Sequence, residues 1–194
     1  MTEPQTPFPA TMRVADARDA YLRENGFTVE EYDAPRTKAF LFGFTFSVPN
    51  TTNHKRGIML HDLHHVATGF GTDLTGEGEI SAFEARGGMK GLDLYVRSLV
   101  MLGVVTGMLV APVRTLRAFR RSWRCQTLFP VSATYEEMLE GTVGDLRARL
   151  GLPRDGIVSG ARGLHSKAPA ADLSAPTTPR RPSAASPEGA RAEA

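Results

Sequence analysis

LHDLHHVATGFGTDLTGEGE, residues 60–79, reads as the end of one helix, a glycine-rich reversal and the start of a second helix. Upstream, Pro49-Asn50-Thr51-Thr52 opens the first of these helices, with Asn50 or Thr51 as N-cap; the helix is predicted to run to about Thr68 and to stop at Gly69 and Gly71. Downstream, Thr75 is expected to cap a helix from about Gly76 to Arg86, closed by Gly87-Gly88. Glycines 69, 71 and 76 let the chain fold back tightly, so the two helices lie side by side.

The same stretch carries chemistry. His61 and His65 are four residues apart, so on a helix they project from one face about one turn apart, close enough for two imidazoles to reach a single ion. Asp62 lies about 100° round the helix from His61 and can either ligate or orient a ligand. The reversal then delivers Glu77 in the first turn of the next helix. A lone buried histidine is usually a satisfied core residue, and a first-turn glutamate is favoured by the helix dipole alone. The conjunction argues for more: three of the five histidines fall within residues 61–65, followed by a reversal that brings up a carboxylate. The site expected is therefore His61, Asp62, His65 and Glu77 around a divalent metal, zinc first, with iron or manganese as alternatives. Such a site keeps a position open for water or substrate. His64 points elsewhere, and His54 sits roughly 10 Å up the helix axis, too far to share the ion.

Outward from this centre the pattern is mostly helical. Val14 to Arg23 reads as an amphipathic helix ended by Asn25-Gly26. In residues 38–49, Phe40, Phe42, Phe44, Phe46 and Val48 alternate with period two, and Gly43 can turn the stretch into a hairpin. The longest helix is expected over roughly Leu92 to Trp123, kinked or broken at Pro112, with shorter helices at Tyr135–Leu139 and Val143–Leu150. The fold class is all-α: a compact helical domain over residues 13–160 with one small β-hairpin before the metal-binding helix. Residues 1–12 and 161–194 are expected to be disordered, the first holding three prolines and no periodicity, the second rich in Ala, Pro and Ser.

Residues 98–111, SLVMLGVVTGMLVA, form an uncharged run of 14, short of the about 20 that a membrane span needs. A buried core or dimer helix is the first reading, an interfacial segment the second. Arg114, Arg117, Arg120, Arg121 and Arg124 follow beside Trp123; the last four of these arginines share one side and suit an anionic lipid headgroup or the anionic end of a polyprenyl ligand. A solvated helix face is the plain alternative. Gly103 and Gly107 form a GxxxG pair, the expected contact of a homodimer. A net charge of +2 and this small basic footprint give no case for nucleic acid. One cysteine, Cys125, excludes an intrachain disulfide framework, and the N-terminus has no apolar signal run, so a cytoplasmic protein is expected, peripheral on the inner face of the cell membrane if the arginines bind lipid.

The pattern His-Asp-x-x-His, then eleven residues, then Glu resembles the signature of the family of coenzyme Q biosynthesis protein four, with His61, Asp62, His65 and Glu77 in place. TGFGTDLTGE, APVRTLRAFRRSWRCQTL and TVGDLRARLGL are also similar to bacterial members, so the likeness covers roughly residues 37–152. It implies a helical, dimerising protein at the membrane surface that binds prenylated lipids and works with other quinone-biosynthesis proteins. It implies removal of the ring carboxyl group of the ubiquinone precursor and hydroxylation of the vacated carbon, with the four residues as the metal centre. Two other expectations stand beside this lyase: a non-catalytic prenyl-lipid-binding or assembly protein with a structural metal, and, last, a metal-dependent hydrolase, which would lack the zincin glutamate beside the first histidine.

Overall fold

A computed structural model describes residues 8–41 and 44–157, with the side chains of residues 38–46 outside the description. The expected all-α architecture is found. In order, the elements are α1 (Val14–Asn25), β1 (Arg36–Leu41), β2 (Phe44–Pro49), α2 (Thr52–Thr68), α3 (Leu74–Gly87), α4 (Leu94–Val110), α5 (Pro112–Arg121), α6 (Tyr135–Glu140) and α7 (Val143–Leu150). Short 3-10 turns at Val29–Asp33 and Ser122–Arg124 follow α1 and α5. The strands form an antiparallel hairpin in which Lys38 faces Ser47 and Arg36 faces Pro49. Where the Phe40, Phe42, Phe44 and Phe46 side chains lie falls outside the described residues.

Helix α2 begins as its sequence dictates, with the Thr51 side chain accepting a hydrogen bond from the His54 amide. It ends at Gly69, whose φ of 80° is the left-handed value that glycine adopts without penalty. Its apolar residues Leu60, Leu63 and Ala67 join Ile80 and Phe83 of α3 and Leu128 in the main core. The start of α3 is corrected by two residues. Asp73, not Thr75, is the N-cap, its Oδ1 accepting from the Gly76 amide at 2.6 Å. A carboxylate at the positive end of the helix outcompetes a hydroxyl placed one residue inside it. The long helix expected over 92–123 is two helices. Pro112 has no N–H to continue α4 and starts α5 in the first-turn position where none is needed.

Two expectations change on packing. The Gly103/Gly107 pair is used within the chain: a Cβ on Gly107 would lie 2.5 Å from Gly78 Cα, and one on Gly103 would lie 2.1 Å from Ser81 Oγ. The close helix approach that small residues permit therefore joins α4 to α3 and not one copy to another. Residues 8–12 of the proline-rich N-terminus are held in place. Phe8 and Met12 pack on a second apolar cluster that includes Tyr21, Val66 and Val143, and the Ala10 and Met12 carbonyls each accept a backbone bond of 2.8 Å from α7. Two large side chains and a backbone pairing offset the modest ordering entropy of a short proline-containing segment. Residues 1–7 and 158–194, which include all of the expected disordered end 161–194 and the last residues, 158–160, of the expected helical domain, lie outside the described residues, as does His165.

Candidate metal centre

The reversal places α2 and α3 side by side because two of its glycines are obligatory. Gly69 makes the turn, and at Gly76 a Cβ would fall 1.9 Å from the Gly71 carbonyl oxygen. Glu77, the next residue, is thereby delivered against the histidines. His61 Nε2 and His65 Nε2 are 3.1 Å apart; Glu77 Oε2 is 3.4 Å from the former and its Oε1 is 3.5 Å from the latter. Among the described residues, His61, His65 and Glu77 gather donor atoms within 4.8 Å of one another, a cluster that can hold a metal ion.

The hydrogen bonds decide what those atoms are. His65 Nδ1 is 3.0 Å from the Phe70 carbonyl, which can only accept, so the proton sits on Nδ1 and Nε2 is the free donor atom of the neutral ring. His61 Nδ1 lies 2.9 Å from Glu84 Oε1, and the same logic bares its Nε2. Two nitrogen lone pairs and a carboxylate thus converge, an electron-rich arrangement that repels itself unless a cation or protons sit between. The spacing suits one ion: ligands at about 2.0–2.1 Å in tetrahedral geometry lie roughly 3.3–3.4 Å from each other. The partners on the far ring nitrogens, a carboxylate and a backbone carbonyl, are the ones that orient histidine ligands in metal sites.

Without an ion, the charges compensate each other. Burial opposes the charged form of His61, but Glu84, then Glu77, overrides it and raises the imidazole well above its usual 6.5. Burial likewise works against ionised Glu77, yet the His65 and His61 rings carry its carboxyl below the ordinary carboxylate range. Glu84, also buried, is held at about 2 chiefly by His61. His65 is enclosed, whereas the His61 and Glu77 side chains are 25% and 39% exposed, so the cluster is open on one side.

Asp62 stands beside this cluster. Its carboxylate is buried and Oδ2 accepts a hydrogen bond of 2.5 Å from the Tyr32 hydroxyl. His64, as expected, serves elsewhere: Nε2 accepts the Leu128 amide at 2.9 Å, and Nδ1 donates to Glu84 Oε1 at 2.8 Å. His54 packs edge-on to Tyr95. Sequence reading missed Glu84, Tyr21 and Tyr32. Glu84 had a signal, being two helical turns after Glu77 and so on the same face of α3; the tyrosines come from α1 and a 3-10 turn, and no spacing announces them.

Of the arginines, Arg114 is engaged, its Nε and Nη2 donating to Glu79 Oε1 and Oε2 at 3.2 and 2.9 Å. Arg117, Arg120 and Arg121 are exposed and line a shallow groove with Val113 and Leu116. Arg124, exposed too, lies beyond α5, and the Arg86 guanidinium sits 4.1 Å above the Trp123 ring. No described helix is long and apolar enough to cross a membrane. Comparison of the chain with protein-family models, curated proteins and solved structures finds no match.

Proposed function

We propose that this is a metal-dependent enzyme of ubiquinone or related prenylated-quinone synthesis, acting at a membrane surface on a prenylated aromatic ring. The observation that carries the reading is the meeting of His61 Nε2, His65 Nε2 and Glu77 within 4.8 Å, built from the His-Asp-x-x-His-x11-Glu pattern that resembles the family named above. A bound ion, zinc first and iron or manganese next, would supply Lewis-acid polarisation of a ring oxygen or carboxylate. The protein's own part is to hold the three donors, keep both imidazoles in the Nδ1–H form through Glu84 and the Phe70 carbonyl, and leave the exposed side of Glu77 and His61 to the substrate. The reaction class is exchange of a ring carboxyl for a hydroxyl with loss of carbon dioxide, a two-electron oxidation that balances with water as the source of the hydroxyl and dioxygen, reduced to hydrogen peroxide, as the electron acceptor.

The exposed apolar surface of α4 and α5, flanked by Arg117, Arg120 and Arg121, supports the lipid side of this proposal. It equally supports a second reading, a non-catalytic prenyl-lipid-binding or assembly protein that works beside other quinone-biosynthesis proteins, as a homodimer or otherwise. Elemental analysis of the purified protein beside His61→Ala/His65→Ala is the first test. About one zinc, iron or manganese per chain, lost in the double variant, is the expected result. Absence of metal from both samples, and after reconstitution, would refute the reading. Assays on prenylated hydroxybenzoates with dioxygen then separate the two roles: Glu77→Ala should abolish turnover while the protein stays folded, whereas a structural metal would make the same change costly mainly in stability.

A further inference from the structure

His61 and His65 are held from behind by partners of different kinds. His65 Nδ1 lies 3.0 Å from the Phe70 carbonyl, a backbone group just past the end of α2. His61 Nδ1 lies 2.9 Å from Glu84 Oε1, the tip of a flexible side chain that must itself be fixed before it can orient a ring. The His61 ring stands between two carboxylates of α3, with Glu77 Oε2 3.4 Å from Nε2 and Glu84 on the other nitrogen. A displaced Glu84 would therefore let the Nε2 donor turn away from Glu77 and His65.

His64 supplies the fixing. Its Nε2 accepts the Leu128 amide at 2.9 Å, so the proton of the ring is on Nδ1. That N–H points at Glu84 Oε1, the oxygen His61 also uses, at 2.8 Å, the length of a bond donated to a carboxylate. The ring has no room to leave this line. It is fully buried, edge-on to Phe83 and to Phe129 with centroids 5.5 and 5.0 Å apart. The Leu128 amide is anchored in turn: Thr127 Oγ1 donates to the Gly88 carbonyl, and Arg56 Nη2 donates to the Phe129 carbonyl at 2.9 Å. An apolar side chain would fill so enclosed a position with no polar atom to satisfy, whereas a histidine there needs a partner for each nitrogen. Its two bonds join the backbone of one segment to the carboxylate that orients His61.

We propose that His64 is a positioning residue of the metal centre: it pins Glu84 Oε1 to the backbone at Leu128, and Glu84 so pinned sets the His61 ring for the ion. This rests on the metal reading above and goes beyond it, since it gives the third histidine of the run, itself no ligand, a part in binding the ion.

Two substitutions separate the two bonds of the ring. His64→Asn keeps an N–H at the level of Nδ1 and has nothing at the level of Nε2. His64→Gln reaches the Leu128 amide with its carbonyl oxygen and has a carbon at the level of Nδ1. Competition with a chromophoric chelator measures the zinc affinity of the full chain, and urea denaturation of the metal-free proteins reads what each change costs the fold. His64→Gln should raise the zinc dissociation constant about tenfold or more, while His64→Asn stays near wild type. Wild-type affinity in His64→Gln would overturn the proposal. So would equal losses in both variants, or losses that merely follow stability, the behaviour of a structural histidine. If neither variant folds, wild type decides: nitrogen NMR of the metal-free protein should show His64 protonated on Nδ1 alone, and a proton on Nε2 would overturn the proposal. A wild type that takes up no zinc sinks the metal reading and the proposal with it, whereas zinc held equally by all three proteins sinks the proposal alone.

Discussion

The α2–α3 interface and the outer face of α4–α5 reverse the usual distribution of side chains. Between α2 and α3, His64, His65 and Glu84 are at most 2% exposed. On α4 and α5, Leu109 and Val113 are each 68% exposed, in company with Val105, Met108 and Leu116. Ionisable groups are rarely enclosed unless paired or bound to a metal, and large contiguous apolar patches are rarely left to water. The inner exception is resolved within the chain, since each of its far ring nitrogens has a partner in Glu84, Phe70 or Leu128. Among the described residues, the outer exception has no such resolution. One region is completed by its own hydrogen bonds; the other, among the described residues, leaves its apolar side chains to the outside.

Glu84 is where the inner region breaks most. One carboxylate oxygen receives both His61 Nδ1 and His64 Nδ1, and it is this that keeps two rings oriented. Glu84→Ala leaves two ring N–H groups without acceptors, one of them fully buried, and should cost about 3 kcal/mol in stability. Urea denaturation of the metal-free protein measures it. A loss below about 0.5 kcal/mol would mean that water replaces the carboxylate, and that the centre is looser than its bonds suggest.

How far this contrast was legible in the sequence depends on distance along the chain. His61, His65 and Glu77 were readable because helix periodicity and a tight reversal fix their relation, and both act over fewer than twenty residues. The hairpin and the break at Pro112 were readable for the same local reason. Glu84 lay within reach of that reasoning, two turns beyond Glu77, but a glutamate among several on α3 carries no mark of what it faces. Tyr32 is thirty residues from the carboxylate it binds, and Tyr21 farther, so only the tertiary fold brings them in. The glycines of α4 misled because GxxxG reports a close helix approach without naming the partner helix; Gly78 and Ser81 of α3 take that place.

A pH titration sharpens the inner side. In the metal-free protein Glu84 and Glu77 keep the His61 imidazole charged well above pH 6.5, against the effect of burial. An ion must displace that proton, so apparent zinc affinity should climb with pH by up to about tenfold per unit and level off once pH passes the raised value. Glu77 is ionised throughout and adds no dependence of its own in this range. Glu84→Gln keeps an acceptor oxygen and removes the charge that most raises His61, so the plateau should begin at lower pH. Competition titrations with a chromophoric chelator at several pH values would show it, and a pH-independent affinity between 6 and 8 would argue that His61 is not a ligand.

The outer face should respond in the opposite manner, with the smallest effect on stability and the largest on association. Leu109 and Val113 lie on either side of the Pro112 joint, and few contacts are lost when they are made polar. Leu109→Ser/Val113→Ser should therefore shift stability by no more than about 0.5 kcal/mol. The same pair should weaken binding to vesicles containing anionic lipid, because burying each of these side chains in the interfacial layer is worth about 1.5–3 kcal/mol relative to water. Arg117→Gln/Arg120→Gln probes the flank separately: its effect should grow as salt is lowered, whereas the apolar pair's should not, since only the first acts through a screened charge. Vesicle sedimentation at two salt concentrations distinguishes them. Were both pairs without effect on vesicles while Leu109→Ser/Val113→Ser changed the mass of the protein in solution, the cover on this face would be a second copy of the chain, and the arginines around it an ordinary solvated rim.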